Sequence, residues 1–183
     1  KFLINPHQYQ VLRQRLRYLL LPDPHASPTG DYRVTSLYFD DAADSALHDK
    51  LSGVQNRRKI RVRIYDGTDA VMMLERKTKR GEFVYKERVP IDRTLYEAMC
   101  TGDADMLTQV KHPLLDDTAW KMRNLLLRPK VIVDYIREAY THWQGNVRVT
   151  FDKHLRSGIT NLDLFRQAPL ATTPLNDITI LGV

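Results

Sequence analysis

The amino-acid sequence predicts an α+β fold whose antiparallel sheet is large enough to close into a barrel, with helices inserted between its strands. Three observations predict it. Strand-like runs at 58–66, 70–80 and 82–91 follow one another through connections of hairpin length, "GTD" and "RGE". Two more runs, 130–141 and 147–155, are joined by "HWQGN". Helical segments separate the two groups and precede them.

In chain order, "KFLIN" is strand-like, and "NPHQYQVLRQRLRYLL" reads as a helix. Asn5 suits its N-cap, Pro6 its first position, and Tyr9, Leu12 and Leu16 form its apolar stripe. "PDPHASPTGD" is a loop, and "YRVTSLYFD" is a strand rich in β-branched and aromatic residues. "ADSALHDKLSG" is a short helix stopped by Gly53. After the three-strand run, "RTLYEAMCTG" and "PLLDDTAWKMRNLLL" are helical, the second ending before Pro129. Beyond Arg156 the pattern fades until a last strand at "DITILGV".

At 183 residues the chain fits one domain over 1–183, and its strand-like ends lead to the expectation that it is trimmed at both from a longer protein. It is 43% hydrophobic and 27% charged, an ordinary globular balance. A net charge of +6 favours anionic partners without choosing among them. Cys100 is the only cysteine, so no internal disulfide forms and a reducing, cytoplasmic setting is expected. The six histidines lack metal-ligand spacing, and no apolar run is long enough to cross a bilayer.

Strand side chains alternate faces with period two. "RKIRVRIYD" therefore places Lys59, Arg61, Arg63 and Tyr65 on one face and Ile60, Val62 and Ile64 on the other. The same parity groups Glu75, Lys77 and Lys79, then Lys86 and Arg88, then Tyr135 and Arg137, then Arg148, Thr150 and Asp152. A solvated face usually mixes signs, because like charges directly opposite each other destabilise a sheet. These faces are biased to Lys and Arg on consecutive strands, which points to a bound polyanion. Arg in "RVR" suits fork-like contact with phosphate oxygens. An open sheet with exposed aromatics would suit single-stranded nucleic acid, and a closed barrel a dense polyphosphate. Most aromatics here share the apolar parity, which favours the second.

The strings "SLYFDD", "ALHDKLSGVQNRRKIRVRIYDG", "LERKTKRGEFVYKERV", "VDYIREAYT" and "VRVTFDKHLRSG", in this order, resemble the VTC-type polyphosphate polymerase domain of the triphosphate tunnel metalloenzyme (CYTH-like) superfamily. The resemblance implies an antiparallel β-barrel tunnel with basic residues lining its lumen and with Mn²⁺ or Mg²⁺ as cofactor. It implies ATP, polyphosphate, triphosphate or pyrophosphate as partners, and no stable nucleic acid. Arg61, Arg63, Lys77, Arg137 and Arg148 match the family's catalytic cations, and Lys1, Lys86 and Tyr135 match phosphate-binding positions. Lys59, Lys79 and Arg88 join them through the charge ladders. Glu75 is the best-placed metal candidate, with an ion pair to a neighbouring Lys or Arg as the alternative. Tyr38 and Asp40 are expected to organise the barrel. The family's acidic E-x-E-x-K pattern is expected just before Lys1, and a metal-binding Glu just beyond Val183. The activity implied is transfer of the γ-phosphate of ATP onto a polyphosphate chain. A triphosphatase and a non-catalytic polyphosphate- or nucleic-acid-binding module are the alternatives. The setting implied is the cytoplasm, or the cytoplasmic face of a membrane reached through segments outside this chain.

Overall fold

A computed structural model describes residues 1–165, 171–172 and 178–183. Strands β1 (Phe2–Ile4), β2 (Leu21–Pro22), β3 (Asp31–Asp40), β4 (Arg57–Tyr65), β5 (Thr68–Arg80), β6 (Phe83–Pro90), β7 (Arg128–His142), β8 (Val147–Gly158), β9 (Ala171–Thr172) and β10 (Thr179–Gly182) alternate with five helices. These are α1 (Pro6–Leu19), α2 (Ser45–Leu51), α3 (Arg93–Thr101), α4 (Ala104–Thr108) and α5 (Pro113–Asn124). The strands hydrogen-bond in the order β1-β10-β8-β7-β3-β4-β5-β6, with β2 on β7 and β9 on β8. That is the expected α+β antiparallel class. Among the described residues the strand path runs open from β1 to β6, so hydrogen bonding does not close it into a ring.

The chain forms two compact units. Strands β3 and β7 each contribute residues to both. The first unit holds Lys1–Thr35, Val133–Gly158 and the described C-terminal residues. Its helix α1 starts as the sequence predicts. Asn5 Oδ1 accepts from the Gln8 N–H at 2.8 Å and Gln8 Oε1 accepts from the Asn5 N–H at 2.9 Å, a capping box that satisfies two donors at the helix end. The apolar stripe of α1, Tyr9, Leu12 and Leu16, packs on a buried cluster of Ile4, Tyr140 and Phe151. The Tyr9 and Phe151 rings meet edge to face at 5.1 Å. A second tie is polar. Buried Glu138 accepts from Tyr9 and Tyr140 at 2.5 Å each and from Arg13 at 2.7 Å, and pairs with Lys153 at 3.2 Å. These bonds pin α1 onto β7 and β8.

The second unit, Ser36–Ile132 with 159–165, is built on β4, β5 and β6. The register is Lys59↔Lys77, Arg61↔Glu75 and Val62↔Leu74 between β4 and β5, and Lys77↔Lys86 and Glu75↔Arg88 between β5 and β6. The predicted parity holds. Ile60, Val62, Ile64 and Leu74 are buried, as are Met99 of α3, Leu107 of α4 and Leu115 of α5. Each such side chain contributes about 1.5–3 kcal/mol on burial. Truncating Leu74 to Ala is expected to cost about 2–5 kcal/mol. On that same side Arg76 reaches Glu87 of β6 and Asp117 of α5, both at 2.6 Å, and so fastens α5 to the sheet.

Four elements differ from the sequence reading. Helix α5 stops at Asn124 rather than Leu127, because Leu126 takes a left-handed conformation (φ 54°) that breaks the helical repeat. Helix α4 (Ala104–Thr108) starts within "GDAD", where Asp103 caps it by accepting from the N–H groups of Asp105 and Met106. Strand β2 lies at the edge of the predicted loop and pairs Leu21 with Thr141. The last strand, read over 177–183, is β10 at 179–182, and residue 177 lies outside the described residues.

Candidate functional site

The densest arrangement of predicted site residues lies on the β4–β5–β6 face opposite the apolar one. Its centre is Glu75, only 2% exposed. Glu75 Oε2 accepts from Arg61 through Nε at 2.7 Å and Nη2 at 2.6 Å, and Oε1 takes the Lys86 ammonium at 2.6 Å. Arg63, 6% exposed, lies 4.0 Å from Oε2 and donates to Ser36 Oγ at 3.1 Å. Arg61 also donates to Tyr38 Oη at 2.8 Å, and its guanidinium sits 5.7 Å from the Tyr38 ring centre. Burial alone would raise the Glu75 pKa. The Lys86 hydrogen bond and the charges of Arg61 and Arg63 outweigh it and hold the carboxyl below its usual range.

One carboxylate serves a crowded neighbourhood. By register Lys59, Lys77 and Lys86 stand in a row across the three strands, and Arg61, Glu75 and Arg88 form the next row. Lys79 lies opposite Arg57. Directly opposed like charges cost stability in a sheet. Lys59, Lys79 and Arg88 have no ion-pair partner among the described residues. The face therefore holds a standing excess of positive charge.

In the other unit the predicted cations are paired one to one. Arg137 clasps Asp152 through two bonds, at 2.7 and 2.9 Å, and donates to Tyr135 Oη at 3.1 Å. Arg148 donates to Asp23 Oδ2 at 2.6 Å and to Tyr32 Oη at 2.8 Å. Asp152 and Asp23 are both 5% exposed, so each ion pair covers an otherwise buried charge. Lys1 is exposed ahead of β1. Sequence reasoning missed Ser36, Tyr32 and Asp23 as partners. Tyr32 shares the even parity of Tyr38 on β3, a signal that was available. Asp40, expected to be organising, accepts from the N–H groups of Asp41, Ala46 and Leu47 and sets the start of α2.

Glu75 was the metal candidate with an ion pair as its alternative, and the geometry is that of the ion pair. Both of its oxygens face cations, and among the described residues no three His, Cys, Asp or Glu side chains converge to hold a metal ion. Mg²⁺ is usually held by one or two carboxylates together with waters and substrate phosphates, and Glu75, with both oxygens engaged by Arg61 and Lys86, does not offer such a carboxylate in this arrangement.

A mixed α+β fold carrying a cation-rich sheet face around one buried carboxylate is chemically suited to an anionic ligand. The VTC domain profile matches residues 1–176, and the chain belongs to that family. Its fold is similar to that of two solved structures. One is an adenylyl cyclase candidate from Hippeastrum described with a dominant triphosphatase activity. It has a TM-score of 0.51 at 16% identity, over 82% of this chain and 69% of that one. Another is an adenylate cyclase candidate from Bacillus halodurans, with a TM-score of 0.51 at 12% identity, over 86% of this chain and 71% of that one. Comparison with curated proteins gives no match. Among the described residues no helix is long and apolar enough to cross a membrane.

Proposed function

We propose that this domain is a polyphosphate polymerase that transfers the γ-phosphate of ATP to the end of a polyphosphate chain. The observation that carries the reading is the Lys59–Lys77–Lys86 and Arg61–Glu75–Arg88 rows, in which one carboxylate stands among a crowd of cations. VTC family membership supports the choice of polyphosphate. In the transfer, the bond from the γ-phosphorus to the oxygen of ADP breaks. A bond to a terminal oxygen of the chain forms, and ADP leaves. Such chemistry needs little covalent help from protein. It needs in-line positioning and neutralisation of oxygens that gather charge. Arg61, Arg63 and Lys77 are the proposed catalytic cations on this face. Lys59, Lys79, Lys86 and Arg88 guide the chain. Arg137 with Tyr135, and Arg148, are proposed as further phosphate contacts in their own unit, used when an incoming phosphate displaces Asp152 or Asp23. ATP and pyrophosphate enter as their Mg²⁺ or Mn²⁺ complexes. The proposed setting is cytoplasmic.

The Hippeastrum protein's triphosphatase activity supports a second reading, with water as acceptor. Incubation with ATP, Mn²⁺ and a pyrophosphate primer separates the two. Long anionic chains that a polyphosphatase digests are the expected product. Orthophosphate alone would transfer the assignment to triphosphatase. Displacement of bound tripolyphosphate by oligonucleotides would overturn both and leave a nucleic-acid binder.

A further inference from the structure

The cations of β4 and β5 do not all belong to the Glu75 face. By register Arg58 lies opposite Thr78 on the apolar side, and Arg80 follows two residues along β5. Arg76, the next cation on that side, is neutralised by Glu87 and Asp117. Arg58 and Arg80 make no direct ion pair among the described residues, and Arg58 acts on Glu87 only through its charge at longer range. They line a cavity of about 460 Å³ at this end of the two strands, bordered also by α2 and by the chain leaving α5. Ile60, Leu125 and Leu127 give it an apolar wall.

Three aspartates also line the cavity, and their engagements differ. Asp40 is bound to three backbone N–H groups. Asp41 accepts from the N–H groups of Ala43 and Ser45 at 3.0 Å each. Asp49 alone keeps its carboxylate unengaged among the described residues. The cavity thus combines five cations (Arg57, Arg58, Lys79, Arg80 and Lys121), of which Arg58 and Arg80 are the pair on the apolar side of the strands, with an apolar wall and one open carboxylate.

We propose that this cavity is a second ligand site that takes a nucleoside phosphate. The Arg58 and Arg80 guanidiniums hold the phosphate in the fork geometry that suits its oxygens. The Ile60, Leu125 and Leu127 wall covers the base, and Asp49 accepts from sugar hydroxyls. The volume lies within the roughly 300–1,000 Å³ typical of small-molecule sites. Bare orthophosphate or polyphosphate would use the arginines and leave the apolar wall against water. The site borders the Glu75 face at Lys79 but is centred apart from it: Arg58 has the opposite parity to Arg61 and stands three residues from it, about 10 Å along the strand.

Equilibrium titration of the whole chain with AMP and with tripolyphosphate tests this. Arg58→Ala/Arg80→Ala, at exposed positions, is expected to weaken AMP at least tenfold and leave tripolyphosphate unchanged. Lys86→Ala/Arg88→Ala is expected to do the reverse. Leu125→Ser is expected to weaken AMP several-fold while orthophosphate is unaffected. Failure of the unaltered protein to bind AMP, equal AMP affinity in the Arg58/Arg80 variant, or loss of tripolyphosphate in that variant would each overturn the second site. If tripolyphosphate fails to bind at all while the AMP pattern holds, the polymerase reading falls and this site stands.

Discussion

The two units handle buried charge in different ways. In the first, Arg137 has Asp152, Arg148 has Asp23, and buried Glu138 is enclosed by Tyr9, Tyr140, Arg13 and Lys153. In the second, Glu75 is shared by Arg61, Arg63 and Lys86, and among the described residues Lys59, Lys79 and Arg88 have no ion-pair partner. A cation that already owns a carboxylate must exchange it for a phosphate, so the net gain is small. A cation in a repulsive row gains in full, because the anion also removes the repulsion. The ladder that looks uniform in sequence is therefore unequal in binding capacity.

The sharpest way to break that contrast is Arg61→Ala/Arg63→Ala. Glu75 is shared among Arg61, Arg63 and Lys86 rather than owned by one of them, so the exchange cost is divided. With charged hydrogen bonds worth about 1.5–3 kcal/mol each, tripolyphosphate affinity is expected to fall about a thousand-fold in a calorimetric titration. Sequence parity alone implies that this variant keeps its fold. Burial of Arg63 and Glu75 adds a stability cost, and the Lys86 contact limits it by leaving Glu75 one partner. An unchanged affinity would end the claim that this face binds phosphate.

The counterpart in the first unit is Glu138→Gln, where the expected loss is stability rather than binding. Burial would raise the Glu138 pKa, but hydrogen bonds from Tyr140, Tyr9 and Arg13 lower it from 4.5 to about 2. A depressed folded-state value contributes stability at pH above the unfolded value, and that stability is lost as pH falls from about 4.5 toward 2. Denaturant melts at pH 7 are expected to show the variant about 3 kcal/mol weaker, with the gap closing by pH 2. A gap that does not depend on pH would show that Glu138 acts through shape alone.

A smaller effect is expected from Arg137→Ala. Because Asp152 competes for this arginine, tripolyphosphate affinity should drop about tenfold or less, with thermal stability also lowered by the stranded Asp152. A loss as large as that of the Arg61/Arg63 variant would erase the distinction between the units.

Much of this was legible in sequence because it is local. Hairpin-length connections fix the register, and register with parity places Lys59, Lys77 and Lys86 in one row without any long-range knowledge. The counter-ions were not legible. Asp23 meets Arg148 across 125 residues of chain, from a segment that reads only as a loop. Asp152 shares a face with Arg148 in sequence yet binds Arg137 on the neighbouring strand, because pairing across strands decides its partner. Helix α4 was lost in an acidic run because five residues are too few to show a helical period.

The finest test concerns Glu75 itself. As a metal ligand it would support binding only when Mg²⁺ or Mn²⁺ is present, so Glu75→Gln would weaken metal-dependent binding and leave metal-free binding unchanged. The observed contacts assign it the opposite influence. Its carboxylate already occupies Arg61 and Lys86, so it stands where an incoming phosphate needs donors. It is an internal competitor that also keeps the face assembled. Glutamine retains an acceptor for Arg61 but removes the charge. Metal-free affinity for orthophosphate and pyrophosphate is therefore expected to rise about three- to tenfold, and that for longer chains less. Long chains carry enough charge to displace the carboxylate unaided, so the native Glu75 enforces a preference for them that the glutamine variant relaxes. A titration series across chain length reads this slope directly, and an unchanged slope would show Glu75 to be scaffolding for Arg61 with no part in selection.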